Sequence, residues 1–468
     1  MRGLWLFAVG VFLLSWMAPP SILKVQAQKN ASEPTSQSEE PLMDLQAFIA
    51  AARRHFPGVQ AAEARIRAAQ AQLDESWVAP FFQGQMTFAL ALAPEMRGSP
   101  IFSPDPQVPV SNPWAPIFQF GLEGILPIWT FGKIDGTRDA ARAALEATRF
   151  ERQRVEEELI ERIRRAYFAL ALALDLEQLV REAEPRLEEV RQELERQIDS
   201  NSTAVNPHDK HRLLIALSEF RARAAQVRHI GRMARTALRL LAGIERFRVP
   251  DCPITRPAIE LLPVERYIEH ALAHRPELQA LRALLRARRA ALEIQRAGFL
   301  PDIGLSYLFR TSHAPGITDQ TNPFIIDPAN YTQIGFGLAV RLSLDLWGNA
   351  YRVDRESALF EELEARWREA QIGIELEVEE AHSSLQEAIA REEAYDLARR
   401  EGRGWFISVS QGLELSASSI QDLVDAGRQY LLARYNHLQA IHDVDTALAR
   451  LERVSAQRIV KQWEEKCD

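Results

Sequence analysis

Residues Tyr331 to Gly348 read YTQIGFGLAVRLSLDLWG. Taken alternately, Ile334, Phe336, Leu338, Val340, Leu342, Leu344 and Leu346 fall on one face. Gly335, Gly337, Ala339, Arg341, Ser343 and Asp345 fall on the other. A period of two over about a dozen residues specifies an extended strand with one apolar and one polar or small face. That is long for a water-soluble strand and suits one that crosses a bilayer at a tilt. After Trp347-Gly348 the period becomes that of a helix.

Three more stretches alternate in the same way. In FFQGQMTFALAL, Phe82, Gly84, Met86, Phe88, Leu90 and Leu92 share a face. Phe118, Phe120, Leu122 and Leu126 form a second set, opposite Gln119, Gly121 and Glu123. Ile303, Leu305, Tyr307 and Phe309 form a third. Between the first two, residues 94–116 carry Pro94, Pro100, Pro104, Pro106, Pro109, Pro113 and Pro116 and read as a loop.

Long helices follow the strands. From about Asp135 to Ile198 the only proline is Pro185, and no glycine follows Gly136. At 1.5 Å per residue that is roughly 90–100 Å. Ile160, Ile163, Tyr167, Leu170 and Leu174 step by three and four, the seam of a coiled coil, with Glu and Arg between them. Pro185 is expected to kink or interrupt this helix rather than end it. A turn at 199–207 leads into a return helix through Leu213, Leu217, Phe220, Ala224 and Val227. Residues 45–77 read as one helix with Pro57 near its first turns.

The order of elements occurs twice. Arg54-His55-Phe56-Pro57 opens the first copy and Ala273-His274-Arg275-Pro276 the second. Ala79-Pro80 and Leu300-Pro301 each lead into a strand, and Phe131-Gly132 and Trp347-Gly348 each precede a long helix. The expected division is a signal peptide (1–27), a disordered linker (28–41) and a first repeat (42–245) with strands about 82–92 and 117–128 and a helical hairpin 133–244. A connector (246–263) follows. The second repeat (264–460) has strands about 302–310 and 332–346 and a hairpin 348–455, before a tail (461–468). Four strands with an apolar outer face cannot close a barrel, whose smallest form has about eight. Unpaired edges are not tolerated in lipid. The chain is therefore expected to oligomerise, with a wet, glycine-rich lumen.

Composition narrows the class. The chain has 468 residues, net charge −8 and 26% charged residues, and its mean hydropathy is −0.21. These values exclude a multi-helix inner-membrane protein and argue against nucleic-acid binding. Arg2, the apolar run Leu4–Met17 and Val25-Gln26-Ala27 fit a secretion signal; a short N-terminal anchor is the other reading. Residues 28–41 are polar and expected to be disordered. Of the two cysteines, Cys252 and Cys467, the sequence allows either a pair or two separate thiols. No Gly-rich phosphate loop, Cys-x-x-Cys pair or nucleophile elbow is present, and no cofactor is implied.

The duplicated order, the proline-led strands, the aromatic-Gly pairs and Leu423-Val424-Asp425-Ala426 near the start of the last helix resemble the TolC family of outer-membrane efflux proteins. The resemblance covers roughly residues 42–455. It implies an α+β membrane protein: a homotrimer in the outer membrane, its twelve-stranded barrel built from four strands per chain above a periplasmic tunnel of helices. It implies a passive, non-enzymatic exit duct that docks to a periplasmic adaptor and an inner-membrane pump. Type I protein secretion with the same fold is the alternative task, and a soluble periplasmic coiled-coil protein is the competing class.

Asp422 and Asp425 lie three apart on one helical face. They look like the aspartates of the family's periplasmic constriction, where threefold symmetry would make cation-favouring carboxylate rings; the alternative is acids that complement a helix N-terminus. The family's gate arginine falls at Ser418, so an Arg–Asp closing link is not expected there. Gln119, Glu123, Arg341 and Asp345 are expected to face the lumen, as ordinary solvated residues or as selectivity determinants. Trp114, Trp129, Tyr331 and Trp347 are candidates for interfacial girdles; for Trp129 and Trp347 the other reading is packing where barrel meets tunnel. His208 and His211 have a metal-compatible spacing, with Asp209 the only further ligand nearby; solvated residues at a turn are the simpler reading. In the implied architecture Cys252 and Cys467 both fall in the equatorial belt, and a disulfide between them is expected.

Overall fold

The computed structural model describes residues 40–81, 83–96, 113–199, 207–320, 324, 326–415 and 417–460. The expected signal peptide, nearly all of the expected linker and the tail with Cys467 lie outside the described residues. From Leu42 onward the chain is one compact unit.

The first copy runs α1 (Leu45–His55), α2 (Pro57–Val78), β1 (Gly84–Pro94), β2 (Trp114–Trp129), α3 (Lys133–Asp199) and α4 (Pro207–Ala242). The second runs α5 (Val264–His274), α6 (Pro276–Ala297), β3 (Asp302–His313), β4 (Tyr331–Arg341), α7 (Leu346–Glu414) and α8 (Ile420–Ser455). Paired elements match in length: 11 residues in α1 and α5, 22 in α2 and α6, 36 in α4 and α8.

The single helix expected over 45–77 is two. The Asp44 carboxylate accepts from the Ala47 amide at 2.6 Å and caps α1. Phe56 then turns extended, at φ −65° and ψ 122°, because the residue before a proline is driven out of helical space. Pro57 opens α2 at the position where a missing N–H costs nothing. Arg275 and Pro276 repeat this junction, with φ −60° and ψ 130° at Arg275.

The strands form one antiparallel sheet in the order β1-β2-β3-β4. Met86 pairs with Leu122, Leu122 with Phe309 and Phe309 with Ile334, so the apolar sets share one face. That face is bare on the edge strands: Phe88 is 68% and Phe336 76% exposed. Tyr307 lies over Gly84 and Gly124, where a Cβ on either glycine would collide with its hydroxyl. Strands of 11 to 16 residues reach the ~9–11 that a tilted membrane strand requires.

The opening stretch differs from its reading at one end. β4 stops at Arg341, and Asp345 is already the N-cap of α7. Trp347-Gly348 therefore lies inside the first helical turn. The alternation of Leu342, Leu344 and Leu346 continues the apolar face only in the sequence.

α3 has 67 residues with Pro185 inside it, and α7 has 69, so each is about 100 Å long. Arg154 bridges Glu151 at 2.6 Å and Glu158 at 2.5 Å along a half-buried side of α3. α3 packs on α4 and α8, and α8 packs on α7. Two buried belts collar the hairpins. In one, Phe48 meets Phe247 at 4.9 Å and Tyr167 at 6.1 Å, both edge-on. In the other, Tyr267 packs with Leu278, Val378, Leu385 and Leu448. Phe48 and Tyr267, Ala52 and Ala271, and Val59 and Leu278 are equivalent positions 219 residues apart, matching the starts of α2 at Pro57 and α6 at Pro276. All six are at most 1% exposed.

Candidate functional site

Two regions carry the chemistry: the polar face of the sheet and the helical tip far from it. On the polar face, Gln85 pairs with Glu123, Thr87 with Gly121 and Ala89 with Gln119. Gly121 pairs with Arg310 and Gln119 with Ser312. Arg310 donates to Glu123 at 2.5 Å across the β2–β3 seam. Arg310 is the residue that the sequence reading omitted. The period that points Ile303 to Phe309 outward already places it on the polar face.

Arg341 ends β4 opposite Asp302, whose carboxylate takes Lys133 Nζ at 2.8 Å. Lys133 also donates to the Leu300 carbonyl at 2.8 Å, which fixes the start of α3 beneath β3. Asp345, expected on the polar face, is four residues past the strand. Its carboxylate accepts from the Gly348 amide at 3.1 Å and pairs with Arg352. It caps a helix because the backbone leaves the sheet before the sequence alternation ends. Trp114 and Tyr331 begin β2 and β4, and Trp129 ends β2. Trp114 and Trp129 are 56% and 59% exposed, one at each end of the sheet.

At the tip, Ser419 and Asp422 form a capping box. Ser419 Oγ accepts from the Asp422 amide at 3.2 Å, and Asp422 accepts from the Ser419 amide at 3.0 Å and from Ser419 Oγ at 2.7 Å. The hydroxyl and amide of Ser419 hold the Asp422 carboxyl below its usual range. Asp425 is exposed and has no hydrogen-bond or ion-pair partner among the described residues. Ser418 is half-buried, with its amide donating to the Gly412 carbonyl at 3.1 Å. The two aspartates thus share a helical face but not an environment: one is tied to its own backbone, the other is free.

Just above, two ion pairs join α8 to the first hairpin. Arg428 meets Glu219 of α4 at 2.9 Å, and Arg434 meets Glu182 of α3 at 3.0 Å. The Arg434 hydrogen bond holds the Glu182 carboxyl below its usual range. Between the hairpins lies a cavity of about 200 Å³ lined by Leu179, Ala183, Leu213, Leu423 and Tyr435, among others. The partners are 209 and 252 residues apart in sequence, and no local pattern announces them. His208 and His211 are exposed at the start of α4. No group of three or more metal-binding side chains occurs among the described residues. Cys252 is disulfide-bonded; Cys467 lies outside the described residues.

Residues 267–457 match the model of the outer membrane efflux protein family. This stretch, 191 of the 468 residues, is similar to outer membrane efflux proteins. It spans α5 to α8, and the duplication extends the same plan to the first half. No curated protein sequence matches the chain significantly. Among solved structures, CusC superposes with a TM-score of 0.72 at 16% identity, over 92% of this chain and 96% of that one. The open-state MtrE outer membrane channel of Neisseria gonorrhoeae gives 0.69 at 18%, over 88% and 89%. The outer membrane protein VceC of Vibrio cholerae gives 0.67 at 18%, over 89% and 97%. At these identities the likeness is one of fold, and it extends over both halves. The fold these structures share with this chain is α+β, here a four-stranded sheet set on long helical hairpins.

Proposed function

We propose that the chain is the outer-membrane exit duct of a tripartite efflux system and conducts substrate passively from a periplasmic adaptor and an inner-membrane pump to the outside. The observation that carries this reading is the sheet. It has two unpaired edges, a bare apolar face and a polar opposite face, and it is mounted on helices about 100 Å long. In lipid such edges must be paired, and three copies supply twelve strands, enough to close a barrel around the polar faces. No helix among the described residues is long and apolar enough to cross a membrane.

Asp422 and Asp425 would lie at the periplasmic entrance. Asp425 supplies the free carboxylates of a threefold ring, and Asp422 fixes the helix end that presents them. Replacing both by Ala should raise single-channel conductance or weaken cation selectivity in planar bilayers. Unchanged values would remove them from the gate. Fractionation with the outer membrane and a heat-modifiable trimer band test the barrel itself; a monomer in the soluble periplasmic fraction would refute it. We also propose that Cys252 pairs with Cys467 and ties the connector to the chain's end. Non-reducing peptide mapping that found both thiols free would sink that pairing.

A further inference from the structure

The cavity between the two hairpins is apolar inside and carries an excess of cations on its wall. Leu176, Leu179, Leu213 and Val227 line it and are buried. Phe406 and Tyr430 add two stacked rings, with centroids 5.9 Å apart and an interplanar angle of 20°. The charged residues of the wall are four arginines and two glutamates. Both glutamates are taken, Glu219 by Arg428 and Glu182 by Arg434. Arg186 and Arg223 are left over. Arg186 only assists Arg434 in holding the Glu182 carboxyl below its usual range. Neither makes an ion pair with a carboxylate among the described residues; Arg223 lies 5.2 Å above the Tyr435 ring instead. Both arginines are exposed, so the cavity meets solvent on their side.

We propose that this cavity binds a small amphipathic organic anion, its aromatic or short alkyl body inside and its single anionic headgroup against Arg186 and Arg223. Three features argue for it. An apolar hollow with a few polar groups that fix orientation is the usual form of a small-molecule site. The volume of about 200 Å³ exceeds the ~150 Å³ of an apolar cavity that takes benzene. The guanidinium is also the side chain best suited to a planar or multi-oxygen anion, which it meets with two parallel N–H donors. The surplus of positive charge is local, since the whole chain carries −8. All of these residues belong to one chain, so the site does not depend on the assembly around it.

The duplication shows that the fold does not require the two arginines. Leu159 and Ile374, Ile163 and Val378, and Leu170 and Leu385 are buried pairs 215 residues apart, as are the ends of α3 at Asp199 and α7 at Glu414. In that register the equivalent of Arg186 is Glu401. The equivalent of Arg223, 213 residues on as α4 maps to α8, is Asn436. The second hairpin is therefore built with an acid and an amide where the first has two cations. The unpaired cations belong to the copy that walls the cavity.

The test is equilibrium dialysis with the full chain in lipid nanodiscs, after subtraction of empty nanodiscs. Three probes share one ring system: naphthalene-2-sulfonate, neutral naphthalen-2-ylmethanol and cationic naphthalen-2-ylmethylammonium. The sulfonate should bind once per chain and at least about tenfold more tightly than the alcohol, with the ammonium weakest. Arg186→Gln with Arg223→Gln should remove that advantage and leave the alcohol unchanged; both side chains are exposed, so the fold is kept. Ala216→Phe, from a half-buried position on the wall, should fill the cavity and abolish binding of all three. If that variant fails to fold, the arginine variant decides alone. A sulfonate that binds no more tightly than the alcohol, or equally well to wild type and the arginine variant, would overturn the assignment.

Discussion

The two ion pairs between α8 and the first hairpin offer the most direct test of how the tip is held. Glu219→Gln with Glu182→Gln removes both carboxylate charges while keeping side-chain size. Arg428 and Glu219 are each 48% exposed, and Arg434 and Glu182 are 31% and 44% exposed. These are solvent-screened pairs, so each contributes about 0.2–1 kcal/mol. Together they amount to about 0.4–2 kcal/mol, which shifts an equilibrium between attached and detached α8 by about 2- to 30-fold. If detachment widens the entrance, the double variant should spend that much more time in the wider conductance state in planar bilayers at low salt. In 1 M KCl the Debye length falls to about 3 Å, and wild type and variant should converge. Exchanging the partners (Glu219→Arg with Arg428→Glu) should restore wild-type behaviour. Equal occupancy in wild type and double variant at low salt would refute the latch.

Other expectations follow from single sites. Glu452 is 5% exposed; it accepts from Arg164 at 2.6 Å and from the amides of Ile459 and Val460 at 2.8 and 2.9 Å. Glu452→Ala takes the carboxylate away from Arg164 and from two amide donors. It should cost about 1–3 kcal/mol, read as faster thermal loss of the trimer than in a Glu452→Gln control. Gly84→Ala should impair barrel assembly, seen as a lost heat-modifiable band, and Tyr307→Phe should partly restore it by removing the hydroxyl in the way. Two acids on α8 should move stability with pH in opposite senses. Asp422 has a depressed folded pKa, so its contribution is present above the usual aspartate value and is lost as pH falls through the lower folded value. Asp445, 3% exposed, is pushed well above that value by burial. Its contribution is full below the usual value and is lost as pH rises through the folded one, so Asp445→Asn should stabilise at neutral pH and change little in acid.

The architecture was legible because its signals are long and periodic. Alternation over Ile334–Val340 and heptad spacing over Ile160–Leu174 survive any detail of packing, and the duplication let each copy check the other. Boundaries were less legible. Pro57 reads as a helix residue until Phe56 before it is seen to be extended, and Leu342–Leu346 keep a strand's pattern after the backbone has left the sheet. At the site, polar-face membership follows from parity, which is why Gln119 and Glu123 could be named and why Arg310 should have been. Contacts between distant segments had no such signal. Nothing near Arg428 or Arg434 points to Glu219 or Glu182, whereas Ser419-Ile420-Gln421-Asp422 carries the S-x-x-D pattern of a capped helix start.

The two copies share a skeleton but not their polar contacts, and the difference indicates which helix meets a neighbouring chain. Leu451 of α8 and Leu238 of α4 are equivalent positions 213 residues apart, as are the helix starts at Ile420 and Pro207, and both are fully buried. The next two positions diverge. In α8 they are Glu452 and Arg453, which bind Arg164 and Glu161 of α3. In α4 they are Arg239 and Leu240, both exposed, Leu240 at 65%. α8 is therefore locked inside its own chain, whereas α4 keeps an apolar side, with Met233 two turns away, that its own chain does not cover. The other free edge is α7, where Ile372 and Leu376 are 70% and 69% exposed. The Arg450–Glu380 pair at 3.0 Å sets α7 level with α8, and the repeat carries that level to α4, so Leu240 of one chain should face Leu376 of the next. Leu240→Cys with Leu376→Cys should give covalent trimers on mild oxidation, and neither substitution alone should. If both cysteines accept maleimide in the intact trimer yet never cross-link, the α4–α7 seam is not the contact between chains.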